Sequence, residues 1–293
     1  MDILIRGTLA DNSARFMAIS GRELVEKARL THDLSRVCTA ALGRTLLITS
    51  IMGAELKSED DKLTVIIKGE GLAGNLVCTS NHAAAVKGYI ENPTLELPLT
   101  PKGKLDVGSA VGWLGKLTVI RDHSMKEPYV GSCNMVSGEI AEDFAQYFTV
   151  SEQTPSLVYL GVRVDSQSKE VLSAGGIVIQ PLPNCDDSVI DGIEAITGDI
   201  SNLAKMLGEG MELEEAINSI LHDFNPVVLS ETTPEFKCDC SRERLERVLI
   251  SLGREELMDM IEKDGGAELT CQFCNSKYGF DKEQLEQLLK EIG

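Results

Sequence analysis

The chain has 293 residues, 43% hydrophobic and 25% charged, enough for two or three domains with buried cores. Its formal net charge of -18 excludes the basic surface that nucleic acids and anionic membranes require. Aromatic residues are only 4%, so the cores must rest on Leu, Ile, Val and Ala.

The start, Met1-Asp2-Ile3-Leu4-Ile5-Arg6, has no basic segment followed by an apolar one, so no signal peptide is expected. No apolar stretch approaches the ~20 residues that cross a bilayer. Residues 45–54 come nearest, and Arg44 and Glu55 bracket them. A cytoplasmic protein without a membrane partner is expected.

In chain order, residues 1–9 and 14–19 read as a strand pair around Asp11-Asn12-Ser13. Residues 32–56 are dense in helix formers (Ala40, Ala41, Leu46, Leu47, Met52) and predict a helix. Short β runs follow at Leu63–Lys68, Asn75–Thr79, Ala84–Ile90, Leu117–Arg121 and Val130–Val136, split by Gly, Asn and Pro clusters. Residues 139–150 read as a helix, and Val158–Asp165 with Ser173–Gln180 as a closing strand pair. This order predicts an α+β domain over 1–184 with a largely antiparallel sheet.

Beyond Pro181-Leu182-Pro183-Asn184 the charge changes. Residues 1–184 carry 18 basic and 21 acidic side chains, whereas 185–230 carry Lys205 alone against ten acids. Ile190, Ile193, Ile196 and Ile200 recur at helical spacing, as do Leu213, Ile217, Ile220 and Leu221, with Gly198, Gly208 and Gly210 as breaks. Residues 185–230 therefore read as an acidic linker of short amphipathic helices, expected to be the least stable segment. Leu203 belongs to the same apolar set. Thr232-Thr233-Pro234 marks the next boundary, and 231–293 form a small third domain. There 241–263 predict a helix ended by Gly265-Gly266, and Leu269–Phe280 a hairpin. Asp281 caps a last helix with Gln284 as its capping-box partner, and Leu285, Leu288, Leu289 and Ile292 supply its apolar face.

Eight cysteines in a reducing compartment do not form a disulfide framework. Cys38, Cys78, Cys133 and Cys185 are scattered and read as small buried hydrophobes. The other four form two pairs, Cys238-Asp239-Cys240 and Cys271-Gln272-Phe273-Cys274, thirty residues apart. Four thiolates at such spacing predict one tetrahedral zinc ion with no open position, which excludes hydrolytic chemistry. The zinc is either a structural staple or a redox switch, because bound thiolates stay reactive toward peroxide and each close pair can oxidise locally. A thioredoxin-like reading of Cys271 and Cys274 needs a helix after the pair, and Asn275-Ser276-Lys277-Tyr278-Gly279-Phe280 predicts a turn and strand instead.

Other signals carry less. Gly69-Glu70-Gly71-Leu72-Ala73-Gly74 matches a dinucleotide-binding pattern, but a strand follows where a helix is required, so a tight hairpin is expected. His32, His82, His123 and His222 have no ligand spacing, and Trp113 reads as a packing residue. No catalytic constellation is present, so no enzyme is expected.

Several stretches carry a resemblance: Ala41-Leu42-Gly43-Arg44, Lys68-Gly69-Glu70-Gly71, Gly88-Tyr89-Ile90-Glu91-Asn92-Pro93 and Val136-Ser137-Gly138-Glu139-Ile140-Ala141-Glu142-Asp143. Tyr147-Phe148, Ser151-Glu152-Gln153, Gly175-Gly176 and both cysteine spacings extend it. Nearly end to end, the chain resembles the 33-kDa heat-shock protein family of redox-regulated bacterial chaperones. The resemblance implies an ATP-independent holdase, inactive while reduced and zinc-bound. It implies activation by disulfides joining Cys238 with Cys240 and Cys271 with Cys274, with zinc release. The C-terminal domain then unfolds, the linker loosens, and the active form, a dimer, binds unfolding client proteins.

Overall fold

The computed structural model describes residues 1–123 and 127–291. Strands β1 (Ile3–Leu9) and β2 (Ala14–Ser20) pair antiparallel. Ala10, Asp11 and Asn12, all at positive φ, make the turn between them. Helix α1 (Arg22–His32) was not legible locally, because its cap is remote. The buried Asp2 carboxylate accepts from the Glu23 and Leu24 amides at 3.1 and 2.7 Å.

Helix α2 (Arg36–Gly53) confirms the helix expected over 32–56 in shortened form. It is buried nearly all round, as a helix between two layers must be. The Ser35 hydroxyl caps it at the Cys38 amide. Thr39, Thr45 and Thr49 return their hydroxyls to carbonyls four residues back, so no donor is stranded in the apolar interior. A Cβ on Gly43 would lie 2.8 Å from Val25, which is why α1 can approach so closely there.

After α2 come β3 (Lys62–Lys68), β4 (Leu76–Asn81), β5 (Ala85–Ile90), α3 (Val107–Val111), β6 (Lys116–Asp122) and β7 (Tyr129–Asn134). Helix α4 (Ala141–Val150) and the strands β8 (Leu157–Val164) and β9 (Val171–Pro181) follow. The glycine-rich 69–74 loop joins β3 to β4, two antiparallel strands, as the hairpin reading required. Next lie α5 (Asp187–Ala195), α6 (Thr197–Ile200), α7 (Leu203–Gly208), α8 (Leu213–Ile220), β10 (Val227–Thr232) and β11 (Glu235–Phe236).

Two sheets result, ordered β10-β1-β2-β9-β8 and β11-β5-β4-β3-β6-β7, antiparallel throughout except for the short parallel β11–β5 pair. Helix α2 touches β3, β4 and β5 of one sheet and β2, β8 and β9 of the other. One core therefore forms around it, including Leu42, Leu46, Leu63, Val65, Val119 and Phe144. A second core lies on the five-stranded sheet. Ile5, Leu9, Phe16, Ile177 and Ile179 meet Ile193, Ile200, Leu203, Leu213, Ile217 and Leu221 of the acidic helical segment. The α+β class expected from the sequence holds.

The Val136–Asp143 stretch has a physical reason for its composition. Ile140 sits at φ 67 in a γ-turn, with the Ala141 amide 2.8 Å from the Glu139 carbonyl. The fully buried Asp143 carboxylate holds this strained turn, accepting from Val136, Ser137 and Ile140 amides at 2.7, 3.1 and 3.1 Å. Arg44 reaches the same turn through Glu139, Nη1 to Oε2 at 2.6 Å. Asp143→Ala strands three amides, so it should lower unfolding free energy by about 3 kcal/mol or more. Urea denaturation of the reduced protein reads this as a lower midpoint at unchanged slope.

The chain divides into two compact units, Met1–Lys237 and Cys238–Gly293. The second holds α9 (Arg242–Leu252), α10 (Arg254–Asp259), β12 (Gly266–Thr270), β13 (Lys277–Asp281) and α11 (Lys282–Glu291). The single helix expected over 241–263 is broken, because Gly253 takes φ 92 and separates α9 from α10. A π-type turn at Met260–Asp264 then runs to Gly265 at φ 68. The capping box is present: Asp281 Oδ1 accepts from the Gln284 amide at 2.9 Å, and Gln284 Oε1 from the Asp281 amide at 3.1 Å. Leu249, Leu257, Ile261, Phe280, Leu285 and Leu288 form a thin core, while Ile292 lies outside the described residues.

Two side-chain expectations need correction. Trp113 is 53% exposed rather than packed, because it follows Gly112 in the turn after α3. Cys185 is half-buried at the start of the acidic segment, unlike the buried Cys38, Cys78 and Cys133. Burial pushes the Cys38 and Cys78 thiols up, and raises Cys133 to about 11. These three are held as neutral, unreactive thiols.

Candidate metal centre

Cys238 and Cys240 precede α9, whose N-terminus is fixed by Ser241, the hydroxyl accepting from the Arg244 amide at 3.3 Å. Arg242 fastens this entry to the hairpin. Its guanidinium lies 4.3 Å above the Phe280 ring, donates to the Gly279 carbonyl at 3.0 Å and to Gln284 at 2.8 Å. Arg244 pairs with Asp239 at 3.0 Å, on the residue between the two cysteines.

Cys271 and Cys274 sit at the tip of the β12–β13 hairpin. The turn closes through the Cys271 amide on the Ser276 carbonyl at 2.9 Å and the Asn275 amide on the Cys271 carbonyl at 2.8 Å. Asn275 supplies the required left-handed residue, at φ 57. A strand follows the pair, not the helix that dithiol oxidoreductase chemistry uses.

All four sulfurs lie within 4.8 Å of one another, so the group can hold a metal ion. Cys238 Sγ is 3.7 Å from Cys271 Sγ, and Cys240 Sγ is 3.3 Å from Cys274 Sγ. Sulfurs ~2.3 Å from a shared tetrahedral ion would be roughly 3.8 Å apart, close to these separations. A disulfide would need ~2.05 Å. Both of these contacts cross between the pairs, as in a four-ligand cage. The donor set and spacing thus fit a soft or borderline divalent metal.

Hydroxyls surround one half of the cage. Tyr278 Oη is 3.2 Å from Cys240 Sγ, and Ser276 Oγ is 3.2 Å from Cys274 Sγ. Burial alone would raise the Cys274 thiol. Hydrogen bonds with the Ser276 side chain and backbone, and with Cys240 and Cys238, outweigh it and bring the thiol down to about 7. Burial dominates at Cys271 and pushes it up, against hydrogen bonds from the Phe273 and Cys274 amides. The contact with Cys240 lifts the Tyr278 phenol to about 12. Ser276 and Tyr278 were not singled out from the sequence. Their signal was the alternation of the strand after Cys274, which returns residues to the sulfurs.

Fold and cluster define a class: an α+β body followed by a small unit built on four converging cysteines. A family model described as Hsp33 protein matches residues 2–281. A "33 kDa chaperonin" of Clostridioides difficile is 44% identical over 291 residues, covering 99% of both chains. That of Alkaliphilus oremlandii is 46% identical over 289 residues, covering 99% of this chain and 96% of its own. The crystal structure of the 33 kDa chaperonin from Thermotoga maritima superposes with a TM-score of 0.87 at 39% identity, covering 99% of this chain and 98% of its own. The chain belongs to the Hsp33 family of chaperones. Among the described residues no helix is long and apolar enough to cross a membrane.

Proposed function

We propose that the chain is a redox-regulated, ATP-independent holdase of the cytoplasm, held inactive by one zinc ion on Cys238, Cys240, Cys271 and Cys274. The observation that carries this reading is the second core. The acidic segment lays its apolar faces over Ile5, Leu9, Phe16, Ile177 and Ile179, and so covers a sheet surface suited to unfolded chains.

That cover is weakly built. Helices α5, α6, α7 and α8 have nine, four, six and eight residues, and none has a side-chain cap. Helices so short do not persist without packing. A solvent-open pocket of about 310 Å³ lies beside α5, lined by Leu157, Ile179, Pro181, Ile190 and Ile193. Segments 1–184, 185–230 and 231–293 accordingly act as body, cover and switch. Lys237 joins β11, which pairs with β5, to Cys238.

Zinc supplies folding energy to a unit with a thin core, and keeps the thiols ionised. A thiolate attacks the O–O bond of a peroxide, forming a sulfenic acid and releasing hydroxide, which takes a proton to become water. A second thiolate then displaces hydroxide from the sulfenic sulfur and closes the disulfide. Disulfide sulfurs have lost the charge that made them ligands. Pairing Cys238 with Cys240 and Cys271 with Cys274 follows the family resemblance, and crossed pairs would close loops of 33 and 34 residues. The opened protein binds unfolding clients, as a homodimer.

Peroxide added to reduced, zinc-loaded protein under mild heating tests this. Zinc release, loss of four thiols and suppression of client light scattering should rise together and reverse with reductant plus zinc. Zinc release with unchanged client aggregation would reduce the metal to a structural staple and defeat the holdase reading.

A further inference from the structure

We infer that Tyr278 is a positioning residue that restrains oxidation of the cluster by donating a hydrogen bond to the Cys240 sulfur. The inference rests on the reading that the four cysteines bind metal as thiolates. Tyr278 lies on β13, directly opposite Leu269 in the hairpin. Its ring packs against the core of the C-terminal unit. Its hydroxyl is 3.2 Å from Cys240 Sγ and 3.4 Å from the Cys240 carbonyl. A thiolate has no proton to give, so in the metal-bound state the phenol is the donor at that contact, its one proton shared between the nearer sulfur and the Cys240 carbonyl.

A hydrogen bond to a thiolate withdraws electron density from the lone pair that attacks a peroxide. It is charge-assisted, and therefore stronger than a neutral one. Attack on the O–O bond turns that lone pair into the S–O bond of a sulfenic acid, so the phenol loses its charged acceptor as the reaction proceeds. The contact stabilises the reduced ground state more than the transition state, and so slows the step. Outer contacts of this kind also tune the metal–ligand bond itself. Ser276 Oγ also lies 3.2 Å from Cys274 Sγ, whereas Cys271 is held by the backbone amides of Phe273 and Cys274.

Tyr278→Phe keeps the ring and removes the donor. Three readouts on reduced protein decide the matter: thiol loss with peroxide, metal release to a chelating dye, and the sulfur-to-metal charge-transfer band of the cobalt(II)-loaded protein. The variant should lose thiols and release metal about tenfold faster or more, the scale of one hydrogen bond to a charged group. Its charge-transfer band should shift to lower energy, with the thermal midpoint of the reduced protein kept. Unchanged rates and band overturn the inference while leaving the zinc reading intact. Faster oxidation with an unshifted band would show general loosening of the unit, and also overturns it. Should the unaltered protein take up neither zinc nor cobalt, both readings fall.

Discussion

Chelating the metal under reducing conditions should unfold the C-terminal unit and leave the α+β body folded. The unit's buried apolar side chains, among them Leu249, Leu257, Phe280 and Leu285, are few for a chain of its length. Surface ion pairs such as Lys263–Asp259 and Lys277–Glu268 add little, both partners being well exposed. Metal binding to small cysteine units contributes about 10 kcal/mol or more, so its loss exceeds anything such a core can offset. Hydrogen exchange is the direct measurement. Amides across the β12–β13 ladder, from Gly266 to Asp281, should lose protection on chelation. Those of α2, buried between two sheets, should keep theirs. Persistent protection in the hairpin after metal removal would mean that the four cysteines are not what holds the unit together. Cys274→Ser should reproduce chelation, since three sulfurs leave the cage open.

How much of this was legible depended on whether the signal was local. The β1–β2 pair, the β3–β4 hairpin and the Asp281–Gln284 cap carry their turn or cap residues within the segment, and all appear as expected. The four cysteines converge as their spacing requires. Helix α1 escaped because Asp2, its cap, stands about twenty residues before it in the sequence, ahead of β1. Strand β10 escaped because its partner, β1, lies at the opposite end of the sequence. The acidic segment reads as short amphipathic helices, but nothing local names the sheet of Phe16 and Ile177 as what they cover. The family stretches were recognisable before they were explicable. Arg44 on Glu139, and Tyr147 on Glu152, join motifs about 95 and 5 residues apart.

Ile217→Asp should give a protein that suppresses client aggregation while still reduced and metal-loaded. Ile217 is fully buried on α8, facing the five-stranded sheet. Its replacement forfeits about 2–3 kcal/mol of apolar burial. It also places a carboxylate where keeping the charge buried costs several kcal/mol more. An uncapped helix of eight residues cannot absorb that, and peeling away from the sheet is the cheaper response. Ile5, Leu9, Phe16 and Ile179 would then face solvent. The body keeps its other core around α2, so it need not unfold with the cover. Asn218→Asp is the control: it adds the same charge to the same helix on the exposed face, and should remain inactive when reduced. Exchange across α8 and scattering of a heat-denatured client are read on the same samples. Were α8 to lose protection while the client aggregated as before, the sheet beneath it would not be the client surface. Were both variants active, added charge rather than uncovering would be responsible. Activity in Ile217→Asp alone, with its metal retained, would separate the two halves of the device. Oxidation would then serve to displace the cover, and the uncovered sheet would suffice to hold the client.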